Sequence, residues 1–368
     1  MRTLLVPAAG KSSRFPNMRP KWALIHPTGP LMIEMVLRSI RYQDFDRTVV
    51  AITREHCVEH DVDVVLEQAF GDDIDVHILE SSTASAAETV YRTIREAAIV
   101  GDVVVKDSDC LVEASLPAHP WFVVGVVVGP DSSIARIQSK SFILHDTNAM
   151  VIDIVEKEIV SNVVCVGVYA APARDFVSAY EEIRRSDVQT PAGELYVSHI
   201  VSYLIVRHRR VFHHIEARRY EDWGTLTDWR REAAKHRTYI VDVDGVVLHS
   251  RGRYGRRNWG NSFEPIPQNV AKLKALSDAG HELLFMTARP EKHVDRLRAL
   301  LHREGIRFRA IVAGCYHGER VVVNDFAPTN PFPSCSAVSI PRNGFLDGYL
   351  NPTEDEAGEP NGEKERVG

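Results

Sequence analysis

The chain is poor in cysteine, and none of its five cysteines forms a Cys-x-x-Cys pair. Cys57, Cys110, Cys165, Cys315 and Cys335 therefore suggest neither a zinc site nor a disulfide framework, and reduced thiols in the cytoplasm are the expectation. Long hydrophobic runs are missing as well. The N-terminal apolar run is too short for a signal peptide, and the later ones read as strands, so neither a leader nor membrane insertion is expected. No long basic stripe offsets the net charge of -6, which argues against nucleic acid as a partner. The small clusters Arg207/Arg209/Arg210 and Arg251/Arg253/Arg256/Arg257 read as solvated loops or strand edges, and the second also suits an anionic substrate. No internal repeat is evident. What remains, 368 residues with 44% hydrophobic and 26% charged, is ordinary globular protein with length for two domains.

The most informative stretch is the first. A short apolar strand at 3–7 runs into Ala8-Ala9-Gly10-Lys11-Ser12-Ser13-Arg14-Phe15 and then Pro20-Lys21. Small residues let backbone N–H groups approach phosphate oxygens closely. Arg14 and Lys21 are cations that can neutralise charge building up as a pyrophosphate leaves.

Strand candidates at 3–7, 47–52, 74–79 and 102–106 alternate with helical patterns near 31–41, 58–70 and 84–98. That alternation predicts a mostly parallel sheet covered by helices. Residues 121–170 are richer in strand, and helices follow at 173–185 and near 193–206. After a charged helical stretch ending at His236-Arg237, a second pattern begins at 239. It reads strand, loop, helix (267–279), strand (281–286), helix (290–304), then strands at 308–313 and 320–324. The reading is α/β throughout: a larger Rossmann-like domain with a mixed sheet at 1–235, and a smaller Rossmann-like, parallel-sheet domain at 238–350. The tail at 351–368, acidic and almost without apolar residues, is expected to be disordered.

Two acidic features join the first segment. Asp107-Ser108-Asp109 lies just past a buried strand, where open α/β sheets place their ligands. Hard oxygen ligands there suit Mg²⁺ bridging nucleotide phosphates. Asp222, before Gly224-Thr225, is a further acid on a tight turn. Either acid alone is equally at home as a turn former or helix cap.

These residues resemble the signature of the sugar-phosphate nucleotidyltransferases and the related phosphocholine cytidylyltransferases, over about 1–230. The resemblance implies that residues 8–13 cradle a nucleoside triphosphate and that Asp109 and Asp222 bind Mg²⁺. It implies that Glu156 holds sugar hydroxyls, Lys157 the acceptor phosphate, and Gly167 the following Gly-x-Tyr strand beside the substrate. Gly193-Glu194-Leu195-Tyr196 resembles the family's acidic-Tyr helix start. The family's base-binding stretch is replaced by 81–88, where Ser85 is the nucleotide-binding candidate. The implied reaction is in-line attack of an acceptor phosphate on the α-phosphorus, with Lys21 on the α-phosphate and Arg14 on the leaving pyrophosphate. Asp107-Ser108-Asp109 is also the D-x-D of metal-dependent glycosyltransferases, but those lack the Arg14/Lys21 head because their donor is already activated.

The second domain opens with Asp242-Val243-Asp244-Gly245 at a strand end, where one carboxylate can attack phosphorus and the other act as acid and base. Thr287 ends the next strand, and Asn324-Asp325 ends the last. This order resembles the haloacid dehalogenase superfamily over 239–350. The resemblance implies a phosphatase with a minimal cap, Asp242 as nucleophile, Asp244 as acid/base, Thr287 on the phosphate, and Asp242, Asp244 and Asp325 around Mg²⁺. Arg320 is the candidate for its cation, with Lys292 and Arg289 as alternatives. The sequence thus points to a bifunctional enzyme of surface-polysaccharide precursor synthesis, with a non-catalytic second domain as the other reading. A homo-oligomer is left open.

Overall fold

The computed structural model describes residues 1–10, 14–15, 18–129, 137–186, 194–250, 259, 263–325 and 335–350. The chain divides into two compact units, Met1–Trp229 and Arg230–Gly368.

The first unit begins with β1 (Arg2–Pro7), α1 (Met32–Ser39), β2 (Arg47–Thr53), α2 (Arg54–His60), α3 (Val62–Phe70), β3 (Asp75–Leu79), α4 (Ala86–Glu96) and β4 (Asp102–Lys106). These four strands pair in parallel in the order β3-β2-β1-β4. Their side chains alternate between two buried layers. Leu5, Val103 and Val105 face the layer that holds Val90 and Ile94 of α4, while Leu4, Val6 and Val104 face Ile33 and Leu37 of α1 and Leu66 of α3. A strand covered on both faces needs apolar residues at both phases of its period-two repeat, which is why these segments read as continuous apolar runs.

The chain continues through β5 (Cys110–Glu113), β6 (Phe122–Val127), β7 (Ser141–His145), β8 (Met150–Glu156), β9 (Val163–Pro172), α5 (Ala173–Arg185), α6 (Val197–Val206), β10 (Phe212–Glu216), β11 (Arg219–Asp222) and α7 (Leu226–Ala234). β9 pairs antiparallel with β4 and carries the sheet on to nine strands, β3-β2-β1-β4-β9-β6-β10-β8-β7. β5 and β11 form a separate antiparallel ribbon. The helix expected over 58–70 is two helices, because Asp61 takes a left-handed conformation (φ +50°) between α2 and α3. Aspartate tolerates that region better than most residues. His213 and His214 are β10 residues, as their apolar setting suggests.

The second unit holds β12 (Thr238–Asp242), α8 (Pro267–Asp278), β13 (Glu282–Met286), α9 (Asp295–Arg303) and β14 (Ala310–Val312). The strands pair in parallel in the order β12-β13-β14 over a core of Val241, Val243, Leu273, Leu283, Phe285, Leu297 and Leu301. The strand expected at 320–324 is not formed. Val321, Val322 and Val323 are all exposed, so their apolar run is not buried by pairing or packing. Asp325 follows them without a strand to deliver it.

Candidate active site

β1 and β4 lie side by side, with Leu5 opposite Val105, and the chain leaves β1 toward β2 on the other side. This is the switch point of the parallel sheet, where the carboxyl ends of the strands leave a crevice for ligands. Two segments meet there. Ala8 and Ala9 after β1 are buried, and Ala8 N–H donates to Ala51 O at 2.8 Å. Gly10 is exposed, and a Cβ there would touch nothing within 4 Å. Lys11, Ser12 and Ser13 lie outside the described residues. Arg14 is exposed and lines the crevice. Lys21 opens a short 3-10 turn whose buried Trp22 donates from Nε1 to Ala8 O at 2.9 Å, tying the turn to the end of β1. So anchored, Lys21 reaches across and pairs with Asp109.

The turn after β4 is organised by Lys106, whose side chain is fully buried. Its ammonium donates to Asp107 O at 2.7 Å, to Cys110 O at 2.8 Å and to Cys110 Sγ at 3.0 Å. Asp107 N–H donates to Gly167 O at 2.8 Å. Gly167 has φ +72°, and a Cβ there would stand 2.2 Å from Asp107 Oδ2. Only glycine allows that approach. Burial, then the neighbouring Asp109, push the Asp107 carboxyl up. Burial pushes Asp109 the same way, but Lys21, Lys106 and Lys140 outweigh it and hold Asp109 below the usual carboxylate range.

Asp222 is brought to Asp109 by the β5–β11 ribbon, in which it stands opposite Cys110, and Trp223 N–H donates to Asp109 O at 2.9 Å. A Cβ on Gly224 would lie 2.9 Å from Asp109 Oδ2 and 3.1 Å from Asp222 Oδ1. The two carboxylates therefore converge on one cradle of hard oxygen donors, which fits a divalent cation such as Mg²⁺. Lys140, just before β7, pairs with Asp222.

The opposite wall comes from β7 and β8. Glu156 Oε1 accepts from Ser141 Oγ at 2.6 Å and from Ser198 Oγ of α6. Lys157 leaves β8 in a left-handed conformation (φ +57°), donates to Tyr196 OH at 2.8 Å and lies 4.8 Å over that ring. The hydrogen bond to Tyr196 raises the Lys157 ammonium above its ordinary value. Arg14, Asp107, Asp109, Asp222, Glu156, Lys157 and Gly167 all line one cavity of about 190 Å³. Ala86, the first residue of α4, lines it too. Ser85 caps that helix instead, accepting from Glu88 N–H at 3.2 Å.

In the second unit Asp242 and Asp244 stand at the end of β12, and Thr287 follows β13. Asp244 is clamped. Arg289, 2% exposed, donates to its Oδ1 from Nη2 at 2.6 Å and from Nε at 3.0 Å, and Thr287 Oγ1 donates to Oδ2 at 3.2 Å. Arg320 Nη2 is 3.9 Å from Asp242 Oδ1, and its Nη1 donates to Tyr316 O at 2.8 Å. Burial, with Asp244 adding to it, pushes the Asp242 carboxyl up against the opposing Val243 N–H and Arg320. Lys292 lies in a short 3-10 turn, Glu291–His293, beyond Arg289.

Sequence reasoning missed Lys106 and Lys140. A lysine ending an apolar strand was the available signal for Lys106. Lys140 had none, because its partner Asp222 is 82 residues away.

No protein-family model matches this chain, and no curated protein matches it. Solved structures do. A nucleoside-diphosphate-sugar pyrophosphorylase from Vibrio cholerae RC9 is similar at 21% identity and TM-score 0.54, over 62% of this chain and 99% of that one. An inositol-1-phosphate CTP transferase from T. maritima is similar at 13% identity and TM-score 0.50, over 62% of this chain and 90% of that one. At these identities the likeness is one of fold: the N-terminal part of this chain has the architecture of these nucleotidyltransferases.

Proposed function

We propose that the first unit transfers a nucleotidyl group from a nucleoside triphosphate to a phosphorylated small molecule, a sugar 1-phosphate or similar, and releases pyrophosphate. One observation carries the reading: Asp109 and Asp222 converge on one cradle at the switch point, each paired with a lysine, in a cavity that Arg14, Glu156 and Lys157 also line. In the reaction an acceptor phosphate oxygen forms a bond to the α-phosphorus. The bond from that phosphorus to the bridging oxygen breaks, and pyrophosphate takes the electron pair. Held by Asp109 and Asp222, Mg²⁺ would supply charge neutralisation at the nucleotide phosphates. Lys21 neutralises the α-phosphate, Arg14 the departing pyrophosphate, and Lys157 the acceptor phosphate. Glu156 accepts hydrogen bonds from acceptor hydroxyls. Positioning and charge account for the rate, and no covalent intermediate is required.

The second unit, on this reading, hydrolyses a phosphomonoester. An Asp242 carboxylate oxygen bonds to phosphorus as the bond from phosphorus to the alcohol oxygen breaks, and the alcohol leaves with a proton from Asp244. Water activated by Asp244 then attacks the aspartyl-phosphate, releasing phosphate and restoring Asp242, while Thr287 steadies the phosphate. The Arg289 clamp on Asp244 favours a second reading, a binding module without turnover, since both oxygens of the acid/base candidate are already engaged. A panel of phosphomonoesters decides between them. A role for the pair in supplying surface-polysaccharide precursors follows from the resemblance. The test of the whole is a matrix of nucleoside triphosphates against sugar and alcohol phosphates, reading pyrophosphate release. Transfer from a nucleotide sugar with no pyrophosphate formed would make the first unit a glycosyltransferase.

A further inference from the structure

We infer that Lys140 is a second α-phosphate cation, and that before substrate binds it guards Asp222 against free divalent metal. The inference rests on the nucleotidyl-transfer reading of the cleft. Lys140 belongs by its backbone to the acceptor wall: its carbonyl accepts from Lys157 N–H at 2.9 Å, and the next residue, Ser141, stands opposite Glu156. By its side chain it belongs to the other wall, where it pairs with Asp222. The pair is largely buried, with the Lys140 side chain 19% exposed and that of Asp222 17%. The residue therefore crosses the cleft from the acceptor side to the cation-binding carboxylates. A phosphorus attacked by the acceptor, in a nucleotide whose phosphates meet those carboxylates, must lie along that crossing.

Two consequences follow from one side chain. Asp222 spends Oδ1 on Gly224 N–H at 3.1 Å and Oδ2 on Lys140. While that pair holds, the Lys140 ammonium and a divalent cation compete for the same carboxylate. Lys140 is an ammonium held against a carboxylate, and it carries that charge with it when the pair opens. Once released and still tethered to the acceptor wall, it has phosphate oxygens as its nearest new partners. It keeps its proton throughout. It only neutralises charge while the acceptor oxygen bonds to phosphorus and the bridging oxygen departs with pyrophosphate. The cleft would thus favour a metal–nucleotide complex, which rewards the release of Lys140, over free metal, which does not.

The test is Mn²⁺ binding to the nucleotide-free full chain, read by electron paramagnetic resonance, together with steady-state pyrophosphate release, in wild type, Lys140→Met and Lys140→Arg. Circular dichroism checks folding. Lys140→Met should bind Mn²⁺ about threefold more tightly or better, since a competing ion pair is gone. Its kcat at saturating metal should fall about 100-fold, with the nucleotide KM within about threefold of wild type. Lys140→Arg should regain the weak Mn²⁺ binding and part of the rate. Unchanged or weaker Mn²⁺ binding in Lys140→Met would overturn the guard, and an unchanged kcat would overturn the α-phosphate role. A wild-type chain that releases no pyrophosphate with any triphosphate would overturn the underlying reading, so the two failures are distinguishable.

Discussion

Gly167→Ala probes the geometry of the cleft without removing a charged group. Gly167 sits at φ +72°, and its missing Cβ would stand 2.2 Å from Asp107 Oδ2, 2.6 Å from Cγ and 2.8 Å from Cβ. Two penalties add. A left-handed alanine costs about 1–2 kcal/mol, and overpacking a buried neighbour costs about 1–3 kcal/mol. The sum, about 3 kcal/mol, lowers the melting temperature of a unit this size by roughly 6–12 °C. The catalytic effect runs through Asp107, whose N–H is bonded to Gly167 O. Displacing it moves the turn that carries Asp109, and an ångström of misplacement costs about 100-fold in rate. Calorimetry reads the first effect and pyrophosphate release the second. Adding Asp107→Ala removes the Oδ2 and Cγ contacts but keeps Cβ at 2.8 Å, so it should recover only part of the overpacking cost and leave the backbone strain. A Gly167→Ala variant melting within about 2 °C of wild type, or a double variant with no recovery, would refute the reasoning.

Further outcomes concern the other buried charges. Arg289→Met leaves Asp244 without its clamp and should destabilise the second unit by about 3 kcal/mol, seen as earlier proteolysis and melting of that unit; an unchanged melt would show the pair to be dispensable. In metal-free protein, Asp107 has its pKa raised by folding, so the native state binds more protons than the unfolded state from the ordinary carboxylate value up to the raised one. Stability from this group therefore falls as pH rises through that window, whereas the contribution of Asp109, with its lowered pKa, is lost only as pH falls toward the lowered value. Asp107→Asn should remove the first slope from unfolding free energies measured against pH, and parallel curves for variant and wild type would contradict the assignment.

Much of the scaffold was legible because its strands are buried on both faces. Apolar runs such as Val103-Val104-Val105 leave little choice but a covered sheet, and the acids after them fall at its edge. The β5–β11 ribbon was not legible. It joins residues about a hundred positions apart, and nothing local in Cys110–Glu113 announces its partner. Lys140 was hidden for the same reason, since its role depends on where the ribbon places Asp222. The second unit misled in the opposite sense: Val321-Val322-Val323 carries strong strand propensity but gains no burial here, and propensity without packing does not make a strand. Arg289 stood only among the alternatives for the cation, because a fork onto Asp244 depends on how β12 and β13 register.

The most direct test is pyrophosphate release with a matched triphosphate and acceptor phosphate, measured beside phosphomonoester hydrolysis in wild type, Asp109→Asn and Asp242→Asn. The account predicts that Asp109→Asn abolishes pyrophosphate release and spares hydrolysis, and that Asp242→Asn does the reverse. Loss of both activities from either single change in a folded protein would contradict two separate phosphate sites.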